Sequence, residues 1–149
     1  FEESAARLYK DMHWQPRLKE VDGLLGSPDG ITWISEIPNH LEADWCIDEF
    51  KYTGKSQRVK GTKTQPNGTV AAKDLKDIRG EWLWCQQVMA YINLLRRQDI
   101  GYDDLNLGRF HICWKYGAYV HPFEEVYVRY LVQFEEAELR GNWAMMRAA

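Results

Sequence analysis

No apolar run in these 149 residues approaches the roughly 18 that a membrane-spanning helix requires, and the longest candidate, residues 88–95, is interrupted by Asn93. Phe1-Glu2-Glu3 offers neither a basic nor an apolar leader region, so no signal peptide is expected. Cysteine is scarce: Cys46, Cys85 and Cys113 are odd in number, far apart and without a C-x-x-C pair. That excludes a disulfide framework and gives no zinc or iron-sulfur signature. His13, His40, His111 and His121 lack the i, i+4 spacing of a helical zinc site. A basic excess is missing too, since 19 Lys and Arg face 22 Asp and Glu, a formal net charge of −3. These absences predict a chain outside the membrane in a reducing, cytoplasmic-type compartment, and at first sight they argue against nucleic acid as partner.

Apolar material is plentiful, at 45% hydrophobic residues including seven Trp. The length suits one domain spanning residues 1–149. Phe1, Ala5, Leu8 and Met12 recur at helical spacing, and Pro16 closes that helix. Residues 17–25 suit a strand, and Gly26-Ser27-Pro28-Asp29-Gly30 is turn chemistry leading into a second strand over residues 31–34, together a hairpin. Residues 45–53, bounded by Gly54, read as a central strand. Its period of two sets Trp45, Ile47, Glu49, Lys51 and Thr53 on one face and Cys46, Asp48, Phe50 and Tyr52 on the other. Residues 54–73 form a long loop. A helix over residues 80–97 carries Leu83, Gln87, Tyr91 and Leu94 along one stripe. Strands over residues 107–116 and 126–134 and a helix over residues 135–146 complete a mixed α/β order with no internal repeat.

Asp29 in the hairpin turn and Glu49 on the next strand can be brought side by side by the pleated sheet, and Lys51 points the same way as Glu49. Paired carboxylates with a backbone carbonyl form a partial shell for a hard divalent cation. A lysine beside it would favour an attacking water and stabilise charge developing on a phosphate. An ordinary exposed ion pair is the plain alternative for Glu49 and Lys51, but Trp45 and Ile47 share their face and set them at the edge of a buried surface.

Ser27-Pro28-Asp29-Gly30-Ile31 followed by Ile47-Asp48-Glu49-Phe50-Lys51 resembles the signature of the PD-(D/E)xK nuclease superfamily. Gln87-Val88-Met89-Ala90-Tyr91 resembles the Q-x-x-x-Y helix motif of its RecB-type and lambda-exonuclease-like (YqaJ-type) branch. The opening Phe1-Glu2-Glu3, then Ala5-Ala6-Arg7-Leu8-Tyr9, is similar to the first helix of those exonucleases, in which a Glu faces the metal. The resemblance runs from Glu2 to Tyr91 and implies a restriction-endonuclease-like core, a central mixed sheet of about five strands flanked by helices.

It further implies that Asp29, Glu49 and the Phe50 carbonyl bind one or two Mg²⁺ or Mn²⁺ ions with Glu2, Glu3 being the adjacent alternative. Lys51 would position the nucleophilic water. Gln87 would lie near Lys51 or the DNA backbone, and Tyr91 near a phosphate. The implied activity is metal-dependent hydrolysis of DNA phosphodiester bonds, most simply by an exonuclease acting on DNA ends in phage or bacterial recombination and repair. An endonuclease of the same fold and a non-catalytic nucleic-acid-binding domain are the alternatives. Ring-forming relatives leave room for a homo-oligomer.

The charge distribution accommodates such a partner. Residues 1–49 carry four basic and eleven acidic side chains, whereas residues 50–73 carry six basic and none acidic. Lys55, Arg58, Lys60 and Lys63 in that stretch are candidates to hold the phosphate backbone. Trp82, Trp84 and Tyr52 are candidates to stack on an unpaired base, with core packing the simpler expectation for the two tryptophans.

Overall fold

In the computed structural model the described residues are 12–14, 23–34, 44–59, 75–98, 101–116 and 126–148, with the isolated positions 16, 18, 20, 21, 63, 65–67, 70, 71 and 73. The expected first helix, with Glu2 and Glu3, lies outside them, as does Lys60.

Alternating apolar and polar residues with many β-branched and aromatic side chains make β3 (Asp44–Ser56) the longest strand. β2 (Gly30–Ile34) pairs with it antiparallel, Ile31 opposite Ile47 and Gly30 opposite Asp48. β4 (Leu107–Tyr116) runs parallel on its other side, Glu49 opposite Phe110 and Lys51 opposite Ile112. β5 (Val126–Gln133) pairs antiparallel with β4, and the two-residue β1 (His13–Trp14) pairs with β2. Four full strands thus form an open mixed sheet, with β1 at its edge.

A parallel step needs a crossover, and helix α1 (Trp82–Arg96) supplies it between β3 and β4. A 3-10 turn, Ile78–Gly80, leads into it, and the Asp77 carboxylate accepts from the Arg79 amide. Val88, Ile92 and Leu95 of α1 bury against the sheet face formed by Ile47, Phe110 and Ile112. Helix α2 (Glu136–Ala148) packs on α1: Asn93 donates to the Leu139 carbonyl (2.9 Å) and to Asn142 (3.0 Å), while Arg96 holds Glu136 through two hydrogen bonds of 2.8 and 2.7 Å. The reverse face of the sheet is equally withdrawn from water, with Cys46, Asp48, Phe50 and His111 all buried.

Three expectations are corrected. The described part of residues 17–25 is not a strand: Val21 and Leu24 exchange hydrogen bonds (3.0 and 2.9 Å) across a tight turn in which Gly23 takes φ 80°, so β2 pairs with β1 instead. Gly54 does not end β3, which continues to Ser56 through a register shift between Thr53 and Ser56. The α1 stripe facing the core is Cys85, Val88, Ile92 and Leu95, leaving Leu83 exposed and Gln87 and Tyr91 at its half-buried margin.

Gly108 is where α1 approaches β4 most closely, since a methyl group there would lie 2.7 Å from Val88 Cγ1 and 3.1 Å from Phe134 Cε2. Gly108→Ala should therefore destabilise the protein by about 1–3 kcal/mol in urea unfolding. An unchanged midpoint would contradict this packing.

Candidate active site

Gly30 opposite Asp48 is the last β2–β3 pair at this end, so one step further the chain brings Asp29 level with Glu49. Two hydrogen bonds lock the juxtaposition. The Phe50 amide donates to Asp29 Oδ2 (2.8 Å), and the Asp29 amide donates to Glu49 Oε1 (3.3 Å). From Glu49 a chain of polar contacts crosses to α1. Lys51 Nζ lies 3.6 Å from Glu49 Oε2 and donates to Gln87 Oε1 (2.8 Å), while Gln87 Nε2 donates to Tyr91 Oη (3.0 Å). Gln87 and Tyr91 are one helical turn apart, which is why both reach the same side. Gly26 closes the site from below, because a methyl group there would lie 2.8 Å from Tyr91 Cε1. Asp29, Glu49, Lys51, Gln87 and Tyr91, separated by up to 62 positions in sequence, thus form one continuous cluster.

Glu49 is only 2% exposed, and Lys51 is half-buried. Burial and then the Asp29 charge push the Glu49 carboxyl up to about 8, against the pull of Lys51. Burial, followed by the Glu49 charge, also raises the Tyr91 phenol. A buried carboxylate held beside a second one with a single partial counter-charge is an arrangement that an added cation relieves. Asp29, Glu49 and the Phe50 main chain fit a hard divalent ion, which takes oxygen donors and completes its shell with water. Among the described residues no group of three or more His, Cys, Asp or Glu could hold a metal, so this pair is a partial donor set.

Sequence reasoning missed a second polar cluster on the reverse face of the same strand. Asp48 is fully buried and accepts from Thr32 Oγ1 (2.5 Å), Arg109 Nε (2.6 Å) and His111 Nε2 (2.7 Å). His111 Nδ1 lies 2.8 Å from Tyr127 Oη, and its ring stacks on Phe50 with centroids 4.3 Å apart. Burial pushes Asp48 up, but its bonds to His111 and Arg109 outweigh that and the net shift is downward. Burial lowers His111 in spite of Asp48. A neutral imidazole beside an ionised carboxylate carries its proton on Nε2 and accepts from Tyr127 at Nδ1. The only signal in the sequence was Arg109 and His111 two apart on one strand face.

The basic stretch is divided. Lys55 Nζ is engaged by Glu81 at 2.7 Å and sits 5.2 Å from the Trp84 ring centroid; Arg58 is half-buried and bridges to Leu75, and Lys63 is exposed. The tryptophans separate as well. Trp84 packs against the core near Trp114, whereas Trp82 is 56% exposed, which corrects the core assignment made for it. Among the described residues no helix is long and apolar enough to cross a membrane. No protein-family model and no curated protein matches the chain.

Removing the acid from the reverse cluster leaves Arg109 and His111 facing a buried gap. Asp48→Ala should cost about 3–5 kcal/mol in urea unfolding, and a loss below about 1 kcal/mol would contradict the burial. Glu49 titrates in the opposite sense. In the metal-free protein the native state alone retains its proton between the ordinary value of 4.5 and about 8, so its contribution is present below 4.5 and is lost as pH rises through about 8. Thermal midpoints of the chelator-treated protein should therefore fall across that window, and Glu49→Gln should flatten the profile. An identical slope in the variant would refute the assignment.

Proposed function

We propose that the protein is a metal-dependent deoxyribonuclease with a restriction-endonuclease-like core of the PD-(D/E)xK kind, hydrolysing DNA phosphodiester bonds. The observation that carries this is the continuous cluster from Asp29 and Glu49 through Lys51 to Gln87 and Tyr91. A surface ion pair would not explain it, because Glu49 is buried and its lysine is pinned from the far side by an amide.

Asp29, Glu49 and the Phe50 carbonyl would hold one or two magnesium or manganese ions. Such an ion supplies Lewis-acid polarisation of the phosphate and makes water a better nucleophile at neutral pH. The remaining work falls to this chain's own groups. Lys51 directs its ammonium toward the carboxylates, where it orients the attacking water and stabilises the charge that builds on the phosphate oxygens during in-line displacement. Gln87 uses its carbonyl oxygen to fix that ammonium and its amide to fix the Tyr91 hydroxyl. Tyr91, kept protonated by the raised phenol, offers an O–H to a phosphate oxygen. The water oxygen forms a new bond to phosphorus as the bond to the leaving deoxyribose oxygen breaks, and that oxygen departs as a strand-end hydroxyl that takes its proton from solvent, with no covalent enzyme intermediate.

The match of Gln87 and Tyr91 to the helix motif of the exonuclease branch favours an exonuclease acting on ends in phage or bacterial DNA recombination and repair, inside the cell. End-labelled linear and closed circular DNA, each with magnesium or with chelator, test the proposal. Linear DNA should be degraded only with metal, and Lys51→Ala and Asp29→Asn should each lower the rate by about 100-fold or more while leaving the circular dichroism spectrum unchanged. Inertness of the wild type toward both substrates, or equal cutting by Lys51→Ala, would refute it. Nicking of the circle would assign an endonuclease instead.

A further inference from the structure

The outer margin of α1 borders an open apolar groove of about 390 Å³, within the roughly 300–1,000 Å³ typical of small-molecule sites. Its walls are the Leu24–Leu25 segment after the tight turn, Trp82 at the start of α1, and Met145 near the end of α2. Leu25 is 71% exposed, and Trp82 and Met145 are exposed beside it. Gln87 and Tyr91 line the same groove, so it opens directly onto the catalytic cluster. Among the described residues no charged side chain lines it. The Gln87 amide oxygen accepts from Lys51 (2.8 Å) and that of Gln86 from Asn142 (2.7 Å), so both are tied into the protein's own contacts.

These features describe a receptor for a flat, apolar-faced group joined to a phosphate. We propose, on the basis of the nuclease reading above, that the groove receives the unpaired nucleobase next to the scissile phosphate, stacked against Trp82. A base inside an intact duplex has no free face to offer, so the substrate of this site is a single strand or a frayed DNA end. Stacking of this kind is tolerant of sequence, consistent with the apolar character of the described lining. A second copy of the chain is a weaker fit, because the groove is concave and continuous with the catalytic residues.

Fluorescence anisotropy with calcium in place of magnesium measures binding of a labelled oligothymidylate and of an abasic strand of equal length. The wild type should bind the base-bearing strand about tenfold more tightly, as stacking of one to two bases implies. Trp82→Ala should abolish that difference and Trp82→Phe should restore most of it. Equal affinity of the wild type for both strands, or undiminished discrimination in Trp82→Ala, would overturn the proposal. So would a sedimenting dimer that Trp82→Ala dissociates without any base discrimination. The nuclease reading stands or falls separately: cleavage without discrimination removes only the groove, and discrimination without cleavage under magnesium removes only the nuclease.

Discussion

Glu49 sits on the strand between β2 and β4, withdrawn from water, with a second acid held against it by two main-chain hydrogen bonds. A carboxylate in that position is costly to ionise, and the fold leaves it so: among the described residues its one ion-pair partner, Lys51, stands 3.6 Å away and is shared with Gln87. The neighbouring residue shows that this is not a general tolerance of buried acids. Asp48 points to the opposite face of the same strand and meets a guanidinium, an imidazole and a hydroxyl at 2.5–2.7 Å. One acid is neutralised from within and titrates below its ordinary range; the next is under-compensated and titrates far above it. That contrast separates a structural ion cluster from the candidate site proposed above to hold a metal ion.

The two clusters are mechanically joined. Phe50 gives its amide to Asp29 on one side and its ring to His111 on the other, so the main chain that presents Glu49 is clamped from both faces. Asp48 therefore serves the site without touching it, by fixing β3 against β2 through Thr32 and against β4 through Arg109 and His111. A site built on a central strand and a packed helix is held to tighter geometry than one built on loops.

What could be read from the sequence was what depends on local period. Alternation over residues 45–53 set Glu49 and Lys51 on one face and Asp48 and Phe50 on the other, and the turn chemistry placed Asp29 at the right end of β2. Helical spacing put Gln87 and Tyr91 on one side of α1. Beyond local period the sequence was silent. The partners of Asp48 depend on the parallel register of β4, some sixty residues away, which no alternation pattern specifies. The strand expected over residues 17–25 failed because Gly23 permits a turn tight enough to close on itself, and Gly54 was taken for a terminus when the sheet simply shifts register there. Trp82 was assigned to the core on hydrophobicity alone, yet it falls outside the buried Cys85, Val88 and Ile92 stripe.

On the proposed function, charge placement accounts for how a mildly acidic chain would face a polyanion. Eleven acids in residues 1–49 include the proposed ligands Asp29 and Glu49, and each divalent ion bound there would add two positive charges where a phosphate would approach. The basic residues that follow are not a uniform cationic surface, since Lys55 is already committed to Glu81 and lies near Trp84. On that reading long-range attraction would be weak and the attractive field local and metal-dependent. Grip on a DNA strand would then come from contacts that need no net charge. Among the described residues the apolar groove beside Gln87 and Tyr91 is continuous with the proposed catalytic cluster, and on that reading it would offer such contacts to bases that have left the helix.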